Sequence, residues 1–391
     1  MRDTFLPFGE PVLGEEEIAE VVATLRSKWI GTGPRAIKLE ARFCEAIGCT
    51  RALATNSCTA ALHLALLASG VRPGDEVLVT ALTFVASANV IVHCGATPVF
   101  VDVDFDDFNI DLGDLERKIT TRSKAILAVH FGGLPLNLPA LNAIATRHGL
   151  AVIEDAAHAI GAALDGVRIG AGPNLTAFSF YANKNITTGE GGMLASSGMS
   201  QETYGYLAAM RLHGLTNDAW RRFHGQALIT SELAGAGFKY NMPDLLAALG
   251  LPQLDRLDGF LERREAIAAR YRAEFASIPG IRLQATPGHY GHIRHALHLF
   301  VLVVDPRAYR IDRNAIVRAL RAENIGVAVH YAAVPTQRFY REAFPQAHRT
   351  TPVANEIGQE ILSLPLGPGF TALDEQDVIE AVHKVLRHYR R

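Results

Sequence analysis

The constraint that weighs most on the fold of this chain is a rhythm of apolar runs. Val77–Thr80, Pro98–Val103, Ala125–Val129 and Ala151–Glu154 read as short strands, with helical stretches over Phe84–Cys94 and Leu138–His148 between them. Strands joined through helices run parallel, and a parallel sheet is covered on both faces, which is why these runs are apolar throughout. Upstream, Arg51–Thr55 adds a strand, and residues 56–59 open an apolar helix that reaches about Ala68. Downstream, Thr176–Phe180 adds another. The expected class is α/β with a mostly parallel sheet.

The length of 391 residues and an apolar content of 49% leave room for more than one core. We expect a large domain over residues 1–250 and a smaller C-terminal α/β domain over 251–391. The first begins with an amphipathic helix, Glu15–Lys28, followed by the loop Trp29–Pro34. The second follows a long helical stretch from about Pro243 to Ala276. Its expected strands are Leu299–Val304 and Gly326–His330; its expected helices are Arg313–Glu323, Ala354–Leu362 and Asp374–Arg387.

Lysine and arginine number 38 against 40 acidic residues, a net charge of −2 that favours neither nucleic acid nor an anionic membrane surface. The arginine-rich stretch Leu254–Arg272 and the basic tail read as helix faces. Cys44, Cys49, Cys58 and Cys94 have neither metal-ligand nor disulfide spacing, which points to a reducing cytoplasm. The N-terminal residues lack an apolar signal core. The long apolar region Val77–Val103 is broken by polar residues and glycine, so no membrane span is expected.

Sites in sheets of this kind gather at the carboxyl ends of strands. Asn56, Thr83, Asp155 and Lys184 all fall just past expected strand ends. A lysine buried in such a turn loses its proton more readily and becomes nucleophilic. Asp155 suits either a helix cap or a partner for a protonated ring nitrogen, and His158, one turn further, either a core histidine or a ring contact. The helix start at Ser57-Cys58-Thr59 offers N–H groups and a dipole to a phosphate, Ser179 adds a hydroxyl, and Phe84 a stacking face. An amine, a carboxylate and a phosphate-sized polar cradle together meet the requirements of pyridoxal phosphate. His292, His295 and His298 recur every three residues but enter a strand, where that spacing does not converge on a metal. Gly31/Gly33 and Gly170/Gly172 lack the third glycine of a dinucleotide fingerprint.

Five segments in order then carry a family likeness: Asn56-Ser57-Cys58-Thr59, Glu154-Asp155-Ala-Ala-His158, Ser179 through Lys184 to Gly192, Tyr240-Asn241-Met-Pro-Asp244, and Val329-His330-Tyr331. Together they resemble the DegT/DnrJ/StrS nucleotide-sugar aminotransferases, pyridoxal-phosphate enzymes of fold type I with a seven-stranded-type sheet. The resemblance runs from the Trp29–Pro34 loop to Ser363-Leu-Pro365. It implies that Lys184 forms the Schiff base, Asp155 meets the ring nitrogen and His158 lies by the ring hydroxyl. It further implies that Ser57, Cys58, Thr59 and Ser179 hold the phosphate while Phe84 stacks. Asn241 would reach the cofactor of a second subunit, giving a homodimer with shared sites. Trp29, Thr32, Lys239, His330 and Tyr331 would serve the substrate. The chain departs from the family in having Cys58 where glycine is usual, and Gly133-Leu-Pro135-Leu-Asn137 in place of a Gly-Gln-Pro-Ala-Asp segment.

The reaction so implied is a two-stroke transamination. L-Glutamate gives its amino group to the cofactor and leaves as 2-oxoglutarate; the resulting pyridoxamine phosphate aminates a keto sugar on a nucleoside diphosphate, with carbon four favoured over carbon three. Competing readings are another fold type I reaction and a cofactor-binding regulator without turnover.

Overall fold

The structure, a computed structural model, describes residues 2–216 and 232–391. Its centre is a seven-stranded sheet built from β1 (Arg51–Thr55), β2 (Glu76–Thr80), β3 (Thr97–Val101), β4 (Ser123–Val129), β5 (Ala151–Asp155), β8 (Leu175–Ser179) and β9 (Gly192–Ser196). The order across the sheet is β1-β9-β8-β5-β4-β2-β3. Every pairing is parallel except the two made by β9, which runs against both β1 and β8. The strands of the rhythm are therefore where the apolar runs place them. All five residues of β2 and of β9 are buried, as a sheet covered on both faces requires.

Two-residue strands β6 (Ala163–Leu164), β7 (Val167–Arg168) and β11 (Ile293–Arg294) form a small ribbon. A separate antiparallel sheet joins β10 (Ile281–Leu283), β12 (Phe300–Val304) and β13 (Ile361–Leu364). The long helix Asp244–Phe275 connects the two regions. Leu251, Leu254 and Leu261 pack with the core beside the large sheet, whereas Ile267, Tyr271 and Phe275 pack with the core around the small one. No helix among the described residues is long and apolar enough to cross a membrane.

Three expectations need correction. Residues 34–47, for which no element was expected, form a helix. Its signals are proline at the first turn and Gly48 at φ 85° just past the end. Gly326–His330 is not a strand; only single bridges occur, Ile325 to Leu6 and Ala328 to Ser363. The N-terminal segment crosses here, with Leu6 N–H on Asn324 O (2.8 Å) and Gly326 N–H on Leu6 O (2.7 Å), and the pairing stops at that one bridge. The expected helix Ala354–Leu362 is Pro352–Glu360 and gives way to β13 at Ile361. A buried Ile-Leu-Ser-Leu run suits either period, and pairing with Phe300–Val303 decides it.

The helix at 34–47 is capped from a distance. Asp244, fully buried, accepts hydrogen bonds from the N–H groups of Gly33 (2.8 Å), Arg35 (3.1 Å) and Ala36 (3.0 Å). The loop Trp29–Pro34 is thereby fastened to the start of the long helix. Asp244→Ala leaves three donors without their acceptor and is expected to cost about 2–3 kcal/mol. A fall in the urea midpoint at unchanged slope checks this; an unchanged midpoint refutes it.

Candidate functional site

The turn between β8 and β9 is held on every side. Phe180 N–H donates to Gly191 O (2.9 Å) and Thr188 N–H to Phe180 O (2.9 Å), closing its neck. Gln253, on the long helix, accepts from Thr187 N–H (2.9 Å) and donates to Thr187 O (2.7 Å). Asn185 donates to Ala296 O (2.8 Å). The tip is Lys184, whose N–H bonds Tyr181 O at 3.0 Å. The lysine is only partly covered as a whole, but its amine sits at the enclosed end. Burial drives its pKa down to about 8, resisted by the nearby Cys58 and Asp155.

The amine faces a cavity of about 480 Å³ at the carboxyl ends of β1, β2, β4, β5 and β8. Asp155 ends β5 there. Burial raises its carboxyl pKa, and Ser87 opposes this by donating to Oδ2 at 2.7 Å, with Ala157 N–H on Oδ1 at 3.1 Å. His158 follows, its Nε2 at 3.0 Å from the Tyr331 hydroxyl and its ring stacked on Tyr331 at 5.9 Å. Burial holds His158 well below the ordinary histidine range and His330 down to about 4, so both rings are neutral. Phe84, 55% exposed, stands at the mouth with its ring 5.8 Å from that of Tyr331.

Across the cavity, Ser57 caps the helix Cys58–Ala68, its hydroxyl accepting from Ala60 N–H at 3.1 Å. The first-turn N–H groups of Cys58 and Thr59 have no carbonyl a turn earlier to bond, which suits an anion. Gly192 lies opposite both Thr55 and Ser179; a Cβ on it would sit 2.5 Å from Cys58 N, so only glycine lets β9 pass this helix start. Two buried polar atoms on the cavity lining, His158 Nδ1 and Asn183 Oδ1, lack partners among the described residues. An amine, a carboxylate, an anion cradle and unmet polar atoms fit a phosphorylated, polar ring such as pyridoxal phosphate.

Trp29, Thr32, Lys239 and Asn241 lie elsewhere, in an adjoining cleft of about 880 Å³ that shares Ser57 and Glu190 with the first cavity. Trp29 Nε1 donates to Thr32 O (3.1 Å), Lys239 Nζ to Asn241 Oδ1 (2.7 Å), and Asn241 Nδ2 to the Thr32 hydroxyl. His330 and Tyr331, by contrast, line the first cavity with Lys184.

Comparison with known proteins decides the family, since the profile of the DegT/DnrJ/EryC1/StrS aminotransferases matches residues 11–383. The chain belongs to this family. It is 44% identical over 387 residues to the spore coat polysaccharide biosynthesis protein SpsC of Bacillus subtilis, covering 99% of this chain and 98% of that one. The sugar aminotransferase Spr1654 of Streptococcus pneumoniae, described there as putative and solved in PMP and PLP forms, superposes with a TM-score of 0.90. In its PMP form that protein is 33% identical, with 98% of this chain and 99% of the other covered. PseC of Helicobacter pylori, an aminotransferase involved in the biosynthesis of pseudoaminic acid, gives a TM-score of 0.89 at 27% identity, covering 99% and 100%. This DegT/DnrJ/EryC1/StrS protein is a pyridoxal-phosphate-dependent sugar aminotransferase of fold type I.

Two residues in the site have no counterpart in the sequence reading. Ser87 sits on the helix Val85–His93 and reaches Asp155; a lone serine in an apolar helix carries no signal. His298 approaches Lys184 Nζ at 3.5 Å. Its histidine run is visible in the sequence, where the spacing argues against a metal and carries no sign of the lysine contact. His295 instead accepts from Leu297 N–H (2.9 Å), and the His292 N–H donates to Asp165 (2.7 Å).

A pKa of about 8 makes Lys184 largely neutral above that pH, whereas an ordinary lysine needs about 10.4. In cofactor-stripped protein the rate of pyridoxal phosphate uptake is expected to climb through pH 8 and level off above it. Stopped-flow absorbance checks this; a rate still climbing at pH 10 refutes it.

Proposed function

We propose that this aminotransferase moves the amino group of L-glutamate to carbon four of a keto sugar borne on a nucleoside diphosphate, releasing 2-oxoglutarate. The observation that carries the reading is the Lys184 amine, enclosed with Asp155 in one cavity where burial lowers its pKa to about 8. Pyridoxal phosphate, when bound, supplies an aldehyde that exchanges amines and a ring that withdraws electrons. Lys184 would hold that group through Nζ, and the same amine would carry a proton to and from the substrate carbon. Asp155 pairs with the ring nitrogen, and His158 and Phe84 bound the ring. Ser57, Ser179 and the N–H groups of Cys58 and Thr59 hold the phosphate.

His330 and Tyr331 face the sugar. Asn241, with Trp29, Thr32 and Lys239 beside it, serves the cofactor and substrate of a partner subunit in a homodimer; their grouping in a second cleft supports this. The likeness to SpsC supports a product used in polysaccharide synthesis. All four cysteines are free, in keeping with a reducing cytoplasm.

Purified enzyme supplied with glutamate and nucleoside-diphosphate 4-keto or 3-keto sugars tests the assignment, read by mass spectrometry and NMR of the product. Amination of the 3-keto sugar alone overturns the choice of carbon. Lys184→Ala is expected to abolish turnover and borohydride labelling while pyridoxamine phosphate still binds; parental turnover excludes Lys184 as the reacting amine. Burial raises the Asp155 carboxyl pKa and the Ser87 hydrogen bond opposes that rise, so Ser87→Ala raises it further. The acid limb of kcat then moves to higher pH, with a loss on the order of tenfold below neutrality. An acid limb that stays in place counts against this role for Ser87.

A further inference from the structure

We infer that His298 is a positioning residue for the Lys184 amine, and that it acts as the Nδ1–H tautomer. The inference rests on the reading of Lys184 as the cofactor-linked lysine, and its geometry is a chain of three contacts. Asn185 Nδ2 donates to the Ala296 carbonyl at 2.8 Å, which fixes the amide so that Oδ1 faces His298. His298 Nδ1 lies 3.3 Å from that oxygen, and an amide oxygen only accepts, so Nδ1 carries the proton. Nε2 is left as a lone pair, and it points at Lys184 Nζ from 3.5 Å. That separation is at the outer limit of hydrogen bonding, as catalytic contacts in unloaded sites commonly are.

The neighbourhood keeps the ring neutral. His298 is 5% exposed, with the His158 ring centroid 4.5 Å from its own. Burial, then the charge of Lys184, holds its pKa well below the usual range. Arg264, buried and donating to the carbonyls of Leu297 and Leu366, adds a positive charge to the same surroundings. A neutral acceptor is what remains, clasped between two consecutive residues, Lys184 and Asn185. When the amine is displaced from the cofactor, Nε2 keeps it oriented toward the reacting carbon and limits the rotamers it explores.

Two near-isosteric variants separate this role from a scaffold role. His298→Gln places an amide oxygen near the Nε2 position and can still accept from Lys184. His298→Asn places an N–H near Nδ1, keeps the Asn185 contact and loses the lysine. The rate of pyridoxal phosphate uptake by each stripped protein at one pH, and kcat for the reloaded enzymes, are the readouts. The positioning role requires the asparagine variant to be slower than the glutamine variant by on the order of tenfold in both. Equal rates, or a faster asparagine variant, assign His298 to scaffolding and overturn the inference. Because either variant can misfold, ¹⁵N–¹H imidazole NMR of the parent provides a second reading. A protonated Nδ1 with a pyridine-like Nε2 agrees, and a protonated Nε2 refutes. Borohydride labelling of the parent away from Lys184 is a different result, which ends the underlying reading and not only this one.

Discussion

The desolvation of one amine governs this molecule. A lysine at a loop tip would ordinarily reach water, and its proton would stay on far above neutrality. Here the loop has no freedom to let it. Gln253 grips both backbone groups of Thr187, Asn185 ties down to Ala296, and the neck closes between Phe180 and residues 188 and 191. The tethers come from the long helix and from the segment before β12, so parts of the chain remote in sequence hold Nζ in its cavity. Asp155, its carboxyl pKa raised by burial, lines the same cavity and accepts a hydrogen bond from Ser87.

The single antiparallel strand makes that grip possible. A parallel continuation after β8 would need a helical crossover, and the lysine would ride on a long connection. With β9 returning directly, the lysine sits in a closed hairpin whose two legs are both interior strands. Gly192 then carries the return past the start of the helix Cys58–Ala68, bringing that helix's first N–H groups and the amine to one edge. Sheet order and site geometry are thus one arrangement seen at two scales.

Most of this was legible in the residues. Continuous apolar runs located the parallel strands because burial on both faces leaves no alternation to confuse them. The polar residues just past those runs, Asp155 and Lys184 among them, marked the cavity. What escaped notice depended on distant packing. Ser87 has meaning only once its helix lies over β5. His298 belonged to a visible pattern, yet its partner is a lysine 114 positions earlier. The helix at 34–47 has its end signals, Pro34 and Gly48, but takes its cap from Asp244 about 200 residues away, and Ile361–Leu364 is strand because it pairs with β12.

The cavity draws on residues from Ser57 through Tyr331, and β1 cannot pair with its neighbour until Gly192–Ser196 has been made. During synthesis from the N-terminus, the first strand of the sheet therefore waits through about 140 residues for the strand that pairs along its length. The imidazole beside the lysine is translated later still. His298, His330 and Tyr331 all follow the last strand of the large sheet, so the cavity gains its remaining wall only when the segment around the small sheet has been made.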